Sequence, residues 1–179
     1  YYKSCIFKQS KIGLVNRDAN FAEEFLENAP CPCYTFALEN MADFQAKEIE
    51  NLRQDDFIGT CFTFLHGEVK ERIFNHLPGA YNVYNALAAV SLACLLKIPM
   101  EKIKHALSKI KVNGRMEVVL QRDGHTVIVD YAHNAMGMKN LLQTLRSYNP
   151  GRLIVVFGCG GNRSKDRRYG MGEVAGEMA

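Results

Sequence analysis

The stretch HTVIVDYAHNAMGMKNLLQTLRSYNPGRLIVVFGCGGNR, residues 125–163, decides the fold class of this chain. The apolar run at 125–132 predicts a strand, and residues 135–149 carry apolar side chains at helical spacing. Pro-Gly at 150–151 ends that helix, and the run at 152–158 predicts a buried strand. A glycine-rich loop and another helical pattern follow. Strand, helix, strand and glycine loop in this order predict the start of a doubly wound α/β domain.

The residues before this stretch predict a second α/β region. Short strands are expected at 11–18 and 33–40, because each is an apolar run that ends in polar turn residues. Residues 59–77 alternate apolar and polar side chains about His66-Gly67, a pattern that predicts a hairpin. Residues 82–98 are rich in Ala and Leu on all sides, which predicts a well-buried helix.

A domain boundary is expected near residues 111–115, where an Asn-Gly pair interrupts the helical pattern. Before it, residues 100–110 predict an amphipathic helix, and after it Asp123-Gly124 predicts a hairpin turn. We therefore expect two domains, residues 1–112 and residues 113–179.

Composition and charge restrict the class of protein. The 179 residues are 47% hydrophobic and 23% charged, a balance typical of soluble globular proteins. A net charge of +3 is too small to indicate a nucleic-acid partner, and no apolar run reaches the ~18 residues that a bilayer crossing needs. Six cysteines without a C-x-x-C pair indicate reduced thiols. We expect a cytoplasmic protein without membrane insertion.

The glycine-rich segment FGCGGNR at 157–163 is the first candidate binding element. Glycines allow a ligand to approach the backbone, and a following helix N-terminus favours an anion. Arg163 would lie at the carboxyl end of a strand, where its guanidinium suits a carboxylate or phosphate. A tight strand-to-helix turn with a solvated helix start is the alternative interpretation. No G-x-x-x-x-G-K-[ST] phosphate-binding loop occurs in the chain.

Polar residues at the end of the preceding strand form a second candidate. A carboxylate such as Asp130 can accept both hydroxyls of a ribose, and His133 can bind a phosphate oxygen. Arg115 stands at the start of the strand before it. A capped, polar strand end would explain Asp130 and His133 equally well.

Two asparagines at the start of the 82–98 helix form a third candidate. Asn82 and Asn85 are three residues apart and therefore share a helix face. Asn82 could be the N-cap of the helix, whereas an amide at Asn85 costs free energy unless it is paired. The donor and acceptor of that amide match the edge of an adenine.

Four segments in this order resemble the Mur ligases of peptidoglycan synthesis: LPGAYNVYNALAA (77–89), NGRMEV (113–118), VDYAHN (129–134) and VFGCGGNR (156–163). Within that family the last segment is similar to the branch that adds the third amino acid of the peptide. Ala135 stands where the family often has Pro, and Arg167 lies in a stretch that also departs from the usual pattern. The resemblance implies an α/β fold, the C-terminal part of a Mur ligase central ATPase domain followed by the first half of a Rossmann-like C-terminal domain.

The resemblance also implies an activity. It would be ATP-dependent addition of L-Lys or meso-diaminopimelate, as the free amino acid, to UDP-MurNAc-L-Ala-D-Glu through an acyl phosphate, with Mg²⁺ as cofactor. The family's roles for ATP binding fall on five residues of this sequence: Asn82, Asn85, Arg115, Asp130 and His133. Arg163 would hold the carboxylate of the incoming amino acid, and Lys3 would be a carbamylated lysine that binds Mg²⁺.

Two other functions stay open. A related amide ligase, of the folylpolyglutamate or cyanophycin synthetase type, shares a similar D-x-A-H-N segment, although FGCGGNR argues against it. A non-catalytic nucleotide-binding module would use the glycine loop as its site. Since the chain contains no phosphate-binding loop, we expect these 179 residues alone to be inactive.

Overall fold

The computed structural model describes residues 4–54, 57–161 and 165–179. They belong to two compact units, each of which is described by itself. The first unit contains Tyr1–Glu50, Thr60–His76 and Ala80–Ile110. The second unit contains Asn51–Gly59, Leu77–Gly79 and Lys111–Ala179.

A five-stranded sheet in the order β1-β2-β3-β4-β5 organises the first part of the chain. Its strands are β1 (Gly13–Asn16), β2 (Cys33–Ala37), β3 (Phe44–Gln54), β4 (Phe57–His66) and β5 (Val69–Asn75). The first three strands are parallel neighbours, and β4 pairs with β5 in antiparallel fashion. The predicted strands at 11–18 and 33–40 are present in shortened form. The predicted hairpin is confirmed, because Gly67 turns the chain between β4 and β5 with a φ of +56°.

In the part of the first unit that the structure describes, a 3-10 helix at Ser4–Gln9 is followed by three α-helices: α1 (Ala22–Glu27), α2 (Ala80–Leu95) and α3 (Met100–Leu107). The helix α2 packs against the sheet with a core that includes Phe44, Phe62, Ile73, Val83 and Leu87, all fully buried. Burial of each such side chain contributes about 1.5–3 kcal/mol.

Both helices expected at 82–98 and 100–110 are present. Helix α2 begins two residues earlier and ends three residues earlier than expected, and α3 ends three residues earlier. The expectation that α2 is a well-buried helix holds for one of its faces only. Its buried residues lie on the face toward the sheet, whereas Leu92 is 51% exposed. A helix that packs on one side of a sheet keeps its opposite face free, whatever its composition.

One carboxylate ties three segments of the first unit together. Asp18, in the turn after β1, accepts hydrogen bonds from consecutive backbone N–H groups after β2, at 2.7–3.1 Å: Leu38, Glu39 and Asn40. The Tyr84 hydroxyl, on α2, donates a further hydrogen bond of 2.8 Å to Asp18. The turn after β1, the loop after β2 and the first half of α2 therefore share one anchor.

These contacts shift the titration of both side chains. Burial alone would raise the pKa of Asp18, but the three backbone N–H groups and the Tyr84 hydroxyl outweigh it and hold the pKa well below its usual range. Burial, followed by the hydrogen bond to the Asp18 carboxylate, raises the pKa of Tyr84. The ionised form of Asp18 is therefore the one that stabilises the fold.

The described residues from Lys111 onward in the second unit form two strands and two helices: β6 (Glu117–Arg122), β7 (His125–Val129), α4 (Ala135–Arg146) and α5 (Lys165–Met178). The strands β6 and β7 are antiparallel, and both turn residues between them are left-handed, Asp123 at φ +51° and Gly124 at φ +75°. This confirms the predicted hairpin turn. The helices α4 and α5 pack together through the buried side chains of Met138, Leu142 and Met171.

The prediction of a buried strand at 152–158 is wrong. Leu153 and Val155 pack against the core of α4 and α5, whereas Ile154 is 67% and Val156 is 93% exposed. A strand needs a hydrogen-bonded neighbour, and among the described residues none pairs with this segment. The alternation of covered and exposed side chains shows a segment that packs on one face only.

Within the described ranges, no helix combines the length and the apolar character that a bilayer crossing requires. All six cysteines are free thiols, as their spacing predicts.

Replacement of Asp18 by Asn tests the anchor. At pH 7 we expect the free energy of unfolding to fall by about 2 kcal/mol, because an amide has one acceptor oxygen for the five donors that Asp18 accepts, the fifth being the Asn40 side-chain amide. Because the pKa of Asp18 is lower in the folded state, its ionised carboxylate stabilises the protein at pH values above the ordinary carboxyl pKa. This contribution is lost as the pH falls toward the folded-state pKa. The difference in the free energy of unfolding between Asp18→Asn and wild type, measured by urea unfolding, should therefore become smaller below about pH 4.

Glu23→Gln is the matched control, because Glu23 makes a single exposed ion pair with Arg17. This substitution should lower the free energy of unfolding by less than about 0.5 kcal/mol. An Asp18→Asn variant as stable as this control at pH 7 would contradict the anchoring role.

Candidate functional site

Two loops of the second unit line one pocket of about 160 Å³. Tyr131 and His133 come from the loop after β7, and Gly158 and Cys159 come from the glycine-rich segment. Arg167, on the first turn of α5, also lines the pocket. The structure therefore brings together the two sequence segments that were singled out as candidate binding elements.

The Asp130 carboxylate holds the loop after β7 in place. Its Oδ1 accepts a hydrogen bond of 2.8 Å from the backbone N–H of Ala132. Its Oδ2 accepts one of 2.9 Å from the backbone N–H of Met116. A carboxylate has about four acceptor sites, so two remain for a ligand. Asp130 thus joins its own loop to the segment that carries Arg115.

The segment at 114–117 is a tight turn that presents Arg115 outward. The Gly114 N–H donates to Glu117 Oε2 at 2.7 Å, and Gly114 has a φ of +67°. Met116 is also left-handed, at φ +47°, which costs about 1 kcal/mol in a residue other than glycine. Burial of its side chain and its hydrogen bond to Asp130 offset that strain.

Arg115 and His133 each contact Tyr131, and Tyr131 and His133 line the pocket. The Arg115 guanidinium carbon lies 4.5 Å from the centroid of the Tyr131 ring. The His133 ring lies 5.2 Å from the Tyr131 ring, and its Nδ1 is 3.1 Å from the Tyr131 carbonyl oxygen. That carbonyl can only accept, so Nδ1 carries the proton of this hydrogen bond, and Nε2 is the other polar atom of the ring. Arg115 and His133 are exposed and able to contact an anionic ligand.

The residue after His133 starts the next helix. Asn134 is the N-cap of α4, and its side chain accepts a hydrogen bond of 2.7 Å from the Gly137 N–H. The helix begins at Ala135, at the position where the N–H makes no bond within the helix. Ala135 therefore fits this position, and so would the Pro that the resemblance leads one to expect, because neither residue needs to donate a hydrogen bond there.

Asn82 and Asn85 belong to the first unit. The suggestion that Asn82 is the N-cap is wrong, because α2 begins at Ala80 and places Asn82 within its first turn. The expectation of a shared helix face is confirmed, since Asn85 Nδ2 donates to Asn82 Oδ1 at 3.2 Å. Asn82 is buried and Asn85 is exposed, so Asn85 is the one that presents its amide to solvent.

Lys3 and Arg163 lie outside the described residues. Within the ranges that are described, no three His, Cys, Asp or Glu side chains converge as metal ligands would.

Sequence reasoning missed Tyr131 and Asn134 as site residues. The signal for Asn134 was present, because Asn directly before a helical pattern is a preferred N-cap. The contact of Tyr131 with Arg115 joins residues that are 16 positions apart (131 minus 115). A local sequence pattern does not predict a contact between residues so far apart in the chain.

Comparisons with known proteins show which family this chain resembles over its length. Residues 1–93 match the Mur ligase middle domain, and residues 114–179 match the Mur ligase, glutamate ligase domain. The UDP-N-acetylmuramoyl-L-alanyl-D-glutamate--2,6-diaminopimelate ligase of Caldanaerobacter subterraneus is 38% identical over 99% of this chain, and that of Clostridium botulinum is 39% identical over 99%. The chain spans about 36% of the length of these relatives.

A solved structure of a ligase of the same name is similar to this one. It has a TM-score of 0.72 and 26% identity, and the match covers 99% of this chain and 37% of the other. The predicted α/β fold, part of a central domain followed by part of a C-terminal domain, is confirmed by these matches. The chain belongs to the Mur ligase family.

Proposed function

We propose that this chain is part of an ATP-dependent ligase that adds meso-diaminopimelate to UDP-MurNAc-L-Ala-D-Glu in peptidoglycan synthesis. The names of its relatives favour diaminopimelate over L-Lys. The observation that carries the proposal is the pocket lined jointly by residues 131–133 and 158–160, with an exposed arginine beside it. A cytoplasmic location and a free amino acid as second substrate belong to the same proposal.

We also propose the domain boundary at 112/113. The match to the middle domain ends at residue 93, and the match to the glutamate ligase domain begins at residue 114. The division between the two compact units at Ile110 and Lys111 supports the same boundary.

The proposed reaction has two steps. The γ-phosphoryl group of ATP is transferred to the D-Glu γ-carboxylate, which forms an acyl phosphate and releases ADP. The amino group of the incoming amino acid then attacks the acyl carbon, an amide bond forms, and phosphate leaves. A carboxylate is a poor electrophile, so phosphorylation supplies the leaving group that the amine needs. When bound, Mg²⁺ would neutralise charge during the transfer.

The exposed residues of the site suit the ligands of this reaction. Arg115 supplies a fixed positive charge and His133 a hydrogen-bonding ring for the phosphates. Asp130 keeps two acceptor sites for the hydroxyls of a ribose. In the first unit, the Asn82 and Asn85 pair offers the amide of Asn85 to an adenine edge.

The glycine-rich segment leaves space for a further anionic group. A Cβ added at Gly158 or Gly161 would meet no described atom within 4 Å, so packing alone does not require glycine there. Arg167 lines the same pocket, near the N-terminal end of the 14-residue helix α5. We propose that Arg163 binds the carboxylate of the amino acid and that Lys3 is the carbamylated Mg²⁺ ligand.

A non-catalytic nucleotide-binding module would also use this pocket. The gene that encodes the chain discriminates between the two. A G-T-x-G-K-[ST] segment upstream of residue 1 supports the ligase, because ATP phosphates need a backbone cradle. Its absence from the complete reading frame would favour the module.

The first prediction on function concerns Asp130→Ala in the full-length ligase. We expect the KM for ATP to rise about tenfold, because the variant loses the ribose acceptors and loosens the segment that carries Arg115. The KM for UDP-MurNAc-L-Ala-D-Glu should change less than about twofold. Steady-state kinetics with each substrate varied in turn measures both values.

Asp123→Asn is the matched control for Asp130→Ala. The Asp123 side chain is 81% exposed, and Asn tolerates its left-handed backbone equally well. An unchanged KM for ATP in Asp130→Ala would remove Asp130 from the nucleotide site.

The second prediction concerns Arg163→Ala, which should raise the KM for diaminopimelate at least about tenfold because a bidentate carboxylate contact is lost. Arg152→Ala, an exposed arginine before the apolar segment, is the control and should leave that KM unchanged. Normal diaminopimelate kinetics in Arg163→Ala would refute the role of Arg163.

The third prediction concerns the 179-residue chain by itself. We expect no tripeptide synthesis from it, because it contains no phosphate-binding loop. The assay is phosphate release and product mass with both substrates and ATP. Turnover by this chain alone would show that the account of ATP binding is wrong.

A further inference from the structure

The Tyr131 ring contacts two residues of the proposed nucleotide site. The Arg115 guanidinium carbon lies 4.5 Å from the centroid of the ring, and the centroid of the His133 ring lies 5.2 Å from it, with the two ring planes tilted by 52°. Tyr131 is 60% exposed. A side chain this exposed contributes little to core packing, so its aromatic ring is not explained by the fold.

The backbone on both sides of this ring is held by a single carboxylate. Asp130 accepts the N–H of Ala132, directly after Tyr131, and the N–H of Met116, directly after Arg115. The loop is closed further by the hydrogen bond between His133 Nδ1 and the Tyr131 carbonyl. These hydrogen bonds fix the backbone at Tyr131 relative to the backbone at Arg115 before any ligand binds.

The Arg115 side chain has no carboxylate within ion-pair distance among the residues that the structure describes. An arginine side chain has several rotatable bonds, and fixing it on ligand binding costs conformational entropy. Contact with an aromatic face orders the guanidinium through cation–π attraction and leaves its N–H groups free to donate. A carboxylate partner would instead occupy those donors.

We propose that Tyr131 is a positioning residue that orients the Arg115 guanidinium for the phosphates of the bound nucleotide. The inference rests on the proposed function and extends it. Tyr131 acts through its ring and through Arg115, and neither its hydroxyl nor a direct bond to the nucleotide is required. It therefore sets nucleotide affinity without contacting the reacting atoms.

A double-mutant cycle in the full-length ligase tests this coupling. The variants are Tyr131→Phe, Tyr131→Leu, Arg115→Ala and the double variant Arg115→Ala/Tyr131→Leu. The readouts are the dissociation constant of ADP by calorimetry and the separate KM values for ATP and for UDP-MurNAc-L-Ala-D-Glu. Tyr169→Leu, which removes a tyrosine that is 74% exposed on α5, is the matched control.

We expect Tyr131→Phe to bind ADP within about twofold of wild type, because the aromatic face is retained. Tyr131→Leu should weaken ADP binding about fivefold and raise the KM for ATP similarly, with the KM of the dipeptide substrate unchanged. In the Arg115→Ala background the same substitution should have no further effect. Thermal unfolding midpoints close to wild type confirm that each variant is folded.

Two results would overturn the inference. One is an equal loss of ADP affinity on Tyr131→Leu with and without Arg115, which would show that Tyr131 acts independently. The other is a Tyr131→Phe variant as weak as Tyr131→Leu, which would assign the effect to the hydroxyl.

The two readouts separate this inference from the proposed function. If the wild-type protein binds ADP but makes no tripeptide, and the variants show the expected coupling between Tyr131 and Arg115, the ligase function is disproved and the role of Tyr131 is kept. If the wild-type protein makes tripeptide but the variants show no coupling, only the role of Tyr131 is disproved. A wild-type protein that binds no ADP disproves both.

Discussion

The hydrogen bonds of one carboxylate determine how the candidate site is arranged. Asp130 accepts the N–H groups of Met116 and Ala132, and so it joins two loops that have no strand pairing of their own. A loop N–H that is withdrawn from water needs such a partner, because a buried N–H without a partner costs about as much free energy as a lost hydrogen bond. Arg115, Tyr131 and His133 are next to those two N–H groups, and their arrangement follows from this bridge.

In the first unit, too, a single carboxylate accepts hydrogen bonds from loop backbone N–H groups. Asp18 accepts three consecutive backbone N–H groups after β2 and the hydroxyl of Tyr84 on α2. In each unit a carboxylate at the end of a strand organises irregular backbone that the sheet cannot pair. In the first unit, Tyr84 lies between the two asparagines proposed for adenine, and its hydroxyl is anchored by Asp18. Loops that carry binding residues are thereby fixed to a rigid scaffold.

Local chemistry made much of this arrangement predictable. The Asp123-Gly124 turn follows from the preference of those residues for left-handed backbone, and the shared face of Asn82 and Asn85 follows from helical spacing. The apolar run at 152–158 predicts a buried strand that the structure does not form, because strand formation depends on a neighbouring strand that no local pattern reveals. The contact of Tyr131 with Arg115 likewise depends on how a bridge between distant loops brings them together. The segments that resemble the Mur ligases were sufficient for the family.

The central claim is that Arg115, Asp130 and His133 form one nucleotide-binding group. A crystal structure of the full-length ligase with a non-hydrolysable ATP analogue tests it most directly. The account predicts the Arg115 guanidinium and His133 Nε2 within hydrogen-bond distance of phosphate oxygens and Asp130 at the ribose, with its bonds to Met116 and Ala132 intact. A nucleotide bound in the presence of an ordered Arg115 and His133 that both point away from it would contradict the account.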